Sequence, residues 1–286
     1  NIFTVFKFLF IIVLIIIGII NGNYSGVDFS INKQSLSQIL SPAFAISLYF
    51  VAYSYSGWNA SAYISGEVNN PTKSIPLSLI AGTFTVTMLY VLLNFMFLYT
   101  VSIPDMAGKV DVGFIYATNI LGTNGGKVFG LIISILLVSS VSSMIITGPR
   151  INQVIGEDFY MFKLLARKNK KDIPIISILL QAIIAIIYII TSTFEQVITF
   201  IGFTLNLFTM LTVIGMVIYR YRHPEIERKY KVPLFPFVPI IFLMINTWIL
   251  IYGLIYKPKE SIYGILISMF GLVLYYINNI LKSKEK

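Results

Sequence analysis

Apolar residues fall into eight long runs, approximately 2–21, 43–66, 79–102, 127–148, 174–192, 196–219, 234–256 and 261–281, separated by shorter polar or basic stretches. Each run is close to the roughly 20 residues a helix needs to cross hydrocarbon, so the pattern predicts eight membrane spans. The second run is unlike the others. Its middle reads Ser54-Tyr55-Ser56-Gly57-Trp58-Asn59-Ala60-Ser61, a cluster for which a lipid-facing helix has no use. Apolar residues before it (Phe44, Ile46, Leu48, Phe50, Val51) and a weaker amphipathic run after it predict two half-helices. Gly57 offers little resistance to unwinding, and serine and asparagine can bond freed backbone groups. Non-helical backbone at membrane depth is tolerated where it lines a cavity or is buried in protein, and discontinuous helices form transporter substrate sites. A second reading stays open: Ser56 and Gly57 let a neighbouring helix pack closely.

Composition supports the membrane class. Of 286 residues, 57% are hydrophobic and only 12% charged, against about a quarter charged in a soluble domain. The net charge of +9 is spread over several loops, which points to anionic lipid head groups rather than nucleic acid. Without cysteine there are no disulfides or thiolate metal sites, and the single histidine, His223, sits in a basic loop. The chain starts at Asn1 on a hydrophobic run with no signal-peptide pattern, so a fragment lacking its upstream half is expected.

Lys and Arg set the orientation. Fifteen lie in one alternating set of loops (67–76, 149–173, 220–233 and the C-terminus), and five in the other. The first set is therefore assigned to the cytoplasm. Loop 22–42 is polar and outward, and 103–124 opens with Ile103-Pro104-Asp105 as a second outer loop. Loop 149–173 mixes Val154, Phe159, Phe162, Leu164 and Leu165 with lysines, which predicts a helix resting on the inner leaflet.

Ionisable groups inside spans are functional candidates by default. Lys7 lies within the first run and has two readings. It snorkels to the nearby surface, or it supplies a positive charge where a transporter would otherwise hold sodium. Glu67 closes the broken segment as a helix-end anchor or a cytoplasmic gate, and Glu195 is expected to be solvated. Ser139, Ser140, Ser142 and Ser143 in the fourth span, and Thr204, Asn206, Thr209 and Thr212 in the sixth, read first as interhelical glue. Most aromatics are expected at lipid or interfacial positions, with Trp58 the exception. An enzyme is excluded by inventory. There is no cysteine nucleophile, no histidine within a span and no carboxylate pair, and Gly125-Gly126-Lys127 lacks the rest of a phosphate-binding loop. No cofactor is expected.

Tyr53-Ser54-Tyr55-Ser56-Gly57-Trp58-Asn59 resembles the F-A-Y-x-G-W-N pattern in the sixth helix of the amino acid–polyamine–organocation superfamily of permeases. Glu67-Val68-Asn69-Asn70-Pro71 is similar to the E-x-x-N-P segment that follows it, and Thr147-Gly148-Pro149-Arg150 to the end of the eighth helix. Thr193 to Arg220 looks like the tenth helix, and Tyr230-Lys231-Val232-Pro233 like the approach to the eleventh. Gly156-Glu157-Asp158-Phe159 departs from the commoner A-R-D-G.

The resemblance registers the eight spans as helices five to twelve of twelve. It implies an all-α, inverted-repeat fold of the leucine-transporter type, with residues 1–286 as one permease domain and 220–286 as a loop and two trailing helices. By the same resemblance, a substrate ammonium meets backbone carbonyls around Tyr53 to Ser56. Its carboxylate meets a glycine break in a first helix that lies outside this sequence, so the missing N-terminal helices are partners. Tyr53 matches the aromatic gate, and Lys7, flanked by Ser142 and Ser143, matches the charge that fills the sodium position. The implied activity is secondary transport of amino acids at the cell membrane, by proton symport or exchange. With no carboxylate near the break to hold a cationic side chain and Lys7 engaged elsewhere, a neutral amino acid is the expected substrate. The alternatives are a sodium-coupled carrier of another small solute, which Lys7 argues against, and a non-transporting scaffold.

Overall fold

The structure, a computed structural model, describes residues 2–31, 33–59, 61, 68–228 and 230–283. Glu67, the gate candidate, lies outside the described residues, and so do Lys229, Lys284 and Lys286. The described residues are helical, with no strand among them. In chain order the helices are α1 (Ile2–Asn21), α2 (Lys33–Ile39), α3 (Pro42–Ser54), α4 (Pro71–Thr100), α5 (Val112–Asp158), α6 (Ile175–Thr191), α7 (Phe194–Arg222), α8 (Phe237–Tyr256) and α9 (Pro258–Ser283), beside a short turn at Ile103–Met106. Six of these, α1, α4, α5, α7, α8 and α9, are long and apolar enough to cross a membrane. The 17-residue α6 is a shorter apolar helix. With the broken segment that opens in α3, their order follows the eight expected spans, as in an all-α membrane transporter.

Helix starts follow local chemistry. Ser41 caps α3 by accepting the Phe44 amide at 3.2 Å, with Pro42 in the first turn where no donor is needed. Thr193 and Gln196 form a reciprocal capping box on α7, and Arg220 and Arg222 sit in its last turn.

The chain divides into two compact units. The first holds Asn1–Ser30 and Ser78–Arg150, with a core of Leu14, Ile15, Met96, Tyr116 and Phe129. Within it, residues 112–121 were expected as loop but are helical. Gly122, at φ 73°, turns that short helix into the long one that follows, a backbone conformation that favours glycine. Tyr116 explains why the short helix is fixed. Its ring is buried, and its hydroxyl donates to the Leu14 carbonyl at 2.9 Å. A Cβ on Gly18, one turn further along α1, would overlap that hydroxyl.

The second unit holds Ile31–Leu77 and Ile151–Lys286, with a core of Tyr49, Phe203, Ile249 and Leu250. It repeats the same device. The buried Tyr49 hydroxyl donates to the Ile249 carbonyl of α8 at 3.0 Å, and a Cβ on Gly253 would overlap it. In each unit a buried tyrosine reaches a helix carbonyl because the residue four positions on is glycine. These two aromatics are core residues.

One further expectation is corrected here. The surface helix over 149–173 is replaced by the end of α5 and a 3₁₀ segment, Tyr160–Ala166. That segment is tied to α9, because the Met161 amide donates to Asn278 Oδ1 at 3.2 Å and the Phe159 ring meets Tyr275 edge-on. Lys163 lies over the Tyr160 ring, 3.9 Å from its centroid. Glu195 is exposed, as expected, and Lys257 reaches it at 2.8 Å, joining the start of α7 to the turn between α8 and α9.

Candidate functional site

The apolar run from Pro42 stops being α-helical at Ser54. Ser54 back-bonds to the Phe50 carbonyl at 2.9 Å, and Tyr55 then leaves the helical basin at φ −96°, ψ 2°. Ser56-Gly57-Trp58 forms a single 3₁₀ turn, after which Ser61 donates to the Trp58 carbonyl at 2.7 Å. A Cβ built on Gly57 meets no heavy atom within 4 Å. Among the described residues, no neighbour packs closely against the glycine.

Beside the break lies a cavity of about 180 Å³. Tyr55, Ser56, Trp58 and Asn59 supply one wall. Asn206 and Thr209 of α7 and Asn246 of α8 supply the polar part of the other. Tyr53, Ser54 and Gly57, placed in the site by resemblance, lie off this wall, and Tyr53 is 42% exposed.

Asn206 and Asn246 are only 7% and 5% exposed. Each spends an amide N–H on the carbonyl one turn back, Gly202 at 2.8 Å and Phe242 at 2.9 Å. Thr209 likewise donates to Leu205 at 2.7 Å. Thr204 and Thr212 do the same, at 2.8 Å each, so the hydroxyls of this helix do not donate between helices as expected. Anchoring to the same helix uses the Thr209 hydroxyl hydrogen and one N–H of each asparagine, and leaves oxygen lone pairs and a second amide N–H on each asparagine. Among the described residues no charged side chain lines the space, and the arrangement can hold a polar, uncharged group. Asn246 was not singled out in the sequence, although a lone carboxamide in the run Phe242 to Leu250 was the available signal.

A second constellation lies in the other unit. The Lys7 ammonium donates to Ser140 Oγ at 2.7 Å, and that hydroxyl donates onward to the Leu136 carbonyl at 3.3 Å. Phe10, Ile11, Ile133 and Leu137 surround the pair along a cleft of about 210 Å³. Ser142 and Ser143 donate to Val138 and Ser139 of their own helix, so Ser140 takes the place expected of them. The remaining reading of the serines as interhelical glue is met only at Ser140.

Comparison with known proteins adds a separate line of observation. The profile of the family described as amino acid permease matches residues 1–276. The chain is 26% identical to the b(0,+)-type amino acid transporter 1 of Mus musculus over 97% of this chain and 57% of that protein. It is 25% identical to the cystine/glutamate transporter of Homo sapiens, over 89% of this chain and 48% of that one. It is also 25% identical to the human large neutral amino acids transporter small subunit 2, over 100% of this chain and 54% of that one. The chain thus spans about half the length of the curated relatives it matches.

Proposed function

Because this chain belongs to the amino acid permease family, we propose that the protein carrying it moves neutral amino acids across the cell membrane by alternating access. It is a transporter and not an enzyme. The observation that carries the reading is the uncharged cavity beside the break at Tyr55. Backbone carbonyls around Tyr53 to Ser56 take the substrate ammonium, and a preceding helix outside this chain takes the carboxylate. Tyr55 and Trp58 wall the side-chain space, Ser56 and Asn59 line it, and Asn206 and Asn246 present oxygen to it. Tyr53 keeps the gate position that the resemblance implies. Lys7, held by Ser140, supplies a fixed or titrating charge in place of sodium, which favours proton symport or exchange over sodium coupling. The excess of Lys and Arg in one set of loops supports a cytoplasmic C-terminus.

Uptake of a labelled neutral amino acid into proteoliposomes holding the full-length protein tests this. Serine, alanine or leucine should compete, and arginine and glutamate should not. Competition by arginine or glutamate alone would refute the neutral-substrate reading.

A further inference from the structure

A cleft of about 370 Å³ opens where α6 ends, α7 begins and α9 begins, away from the break. Its residues are graded by polarity along the helices. Ser192, Gln196, Lys259 and Glu260 form the rim, Tyr188 and Tyr263 lie one turn inside, and Leu266 and Ile267 form the far wall. Eight residues of helix separate Lys259 from Ile267, a depth of about 12 Å at 1.5 Å per residue. A polar mouth, a tyrosine level and an apolar depth match the profile of one leaflet from head group to acyl chain.

The rim charges select the occupant. Lys257 is already paired with Glu195. Neither Lys259 nor Glu260 has an ion pair or hydrogen bond among the described residues. Lys259 is exposed, but Glu260 is half-buried against the cleft, and a partly desolvated carboxylate without a partner is unfavourable. Opposite charges on consecutive residues suit a ligand carrying both signs close together. An anionic lipid would satisfy Lys259 and face repulsion from Glu260. A choline head group carries the right signs but no N–H to donate to a carboxylate.

We propose that this cleft is a binding site for a phospholipid with a phosphoethanolamine head group. The phosphate sits on Lys259, the primary ammonium donates to Glu260, and an acyl chain runs between Tyr263 and Ile267. The site is independent of the transport cavity and does not rest on the assignment of substrate.

Native mass spectrometry of the full-length protein, released from nanodiscs with matched phosphatidylethanolamine, phosphatidylcholine and phosphatidylglycerol, tests the proposal. Phosphatidylethanolamine should be retained about tenfold over phosphatidylcholine, as expected for a hydrogen bond to a charged group. Glu260→Gln should abolish the preference over phosphatidylcholine, Lys259→Gln should lower retention of both zwitterionic lipids, and Lys109→Gln should change neither. Equal retention of the three lipids, a preference that survives Glu260→Gln, or retention unchanged by Lys259→Gln would overturn the site. So would occupancy by free amino acid or by a second copy of the chain. If a variant folds poorly, a photoactivatable phosphatidylethanolamine on the unaltered protein decides: labelling within 259–267 is expected, and labelling only elsewhere overturns the proposal.

Discussion

Lys7 and Ser140, 133 positions apart, meet at 2.7 Å within an apolar surround. The contact gives a part-buried ammonium a specific acceptor on a helix distant in sequence. If that charge takes the role of a sodium ion, Lys7→Ala in the full-length protein should lower uptake about tenfold or more, since charge-assisted hydrogen bonds contribute roughly 1.5–3 kcal/mol. Ser140→Ala should lower it less, because the ammonium survives. Labelled uptake across a pH series, normalised to protein inserted, reads both. Full uptake by Lys7→Ala with an unchanged pH profile would end the coupling role.

The paired tyrosine–glycine contacts make a prediction about stability. Gly253→Ala places a methyl on the Tyr49 hydroxyl, and Gly18→Ala does the same to Tyr116. Overpacking of this kind is expected to destabilise by about 1–3 kcal/mol. Tyr49→Phe alone removes one hydrogen bond and should lower stability by about 1 kcal/mol. Combined with Gly253→Ala it should recover part of the loss, because the displaced oxygen is gone. Thermal unfolding in detergent measures the cycle. Simple additivity of the two losses would show that the methyl does not meet the hydroxyl.

These tyrosines also show what the sequence could and could not reveal. Spans were legible because an apolar run near 20 residues has few other fates, and the break was legible because Ser54 to Ser61 contradicts its own span. Tyr49 and Tyr116 carry no such signal. A tyrosine in an apolar run suits an interface as well as a core, and only the facing Gly253 and Gly18, distant in sequence, decide. Ser140 rather than Ser142 was not legible, because its partner Lys7 lies 133 positions away. The tie from Met161 to Asn278 was hidden for the same reason: 117 residues separate the partners.

Trp58 and Tyr53 separate two parts of the transport cycle. Trp58 lines the cavity while 46% exposed, and Tyr53 lies off the wall at 42%. Trp58→Ala should weaken substrate affinity, raising the uptake KM. Tyr53→Ala, if the gate assignment holds, should lower maximal uptake while membrane insertion stays normal, because water enters the occluded state. Full uptake by a well-inserted Tyr53→Ala protein removes the gate assignment and leaves the permease reading standing.

The uncharged cavity allows a direct test of selectivity. Asn206→Asp changes one buried atom type, keeps the shape and leaves the cavity with an acidic group in place of a neutral carboxamide. Desolvation favours the protonated acid in the empty cavity, whereas a bound guanidinium favours the carboxylate. Arginine should therefore begin to compete for uptake in the variant, and more strongly as pH rises, because the charged form grows with pH. Leucine competition should fall over the same range as the cavity becomes charged. Loss of the Asn206 donor to Gly202 is expected to lower stability by about 1 kcal/mol, so transport is compared at equal amounts of inserted protein. Arginine competition that is absent from the variant at every pH, with serine still transported, would show that the substrate side chain does not enter the space between Trp58 and Asn206.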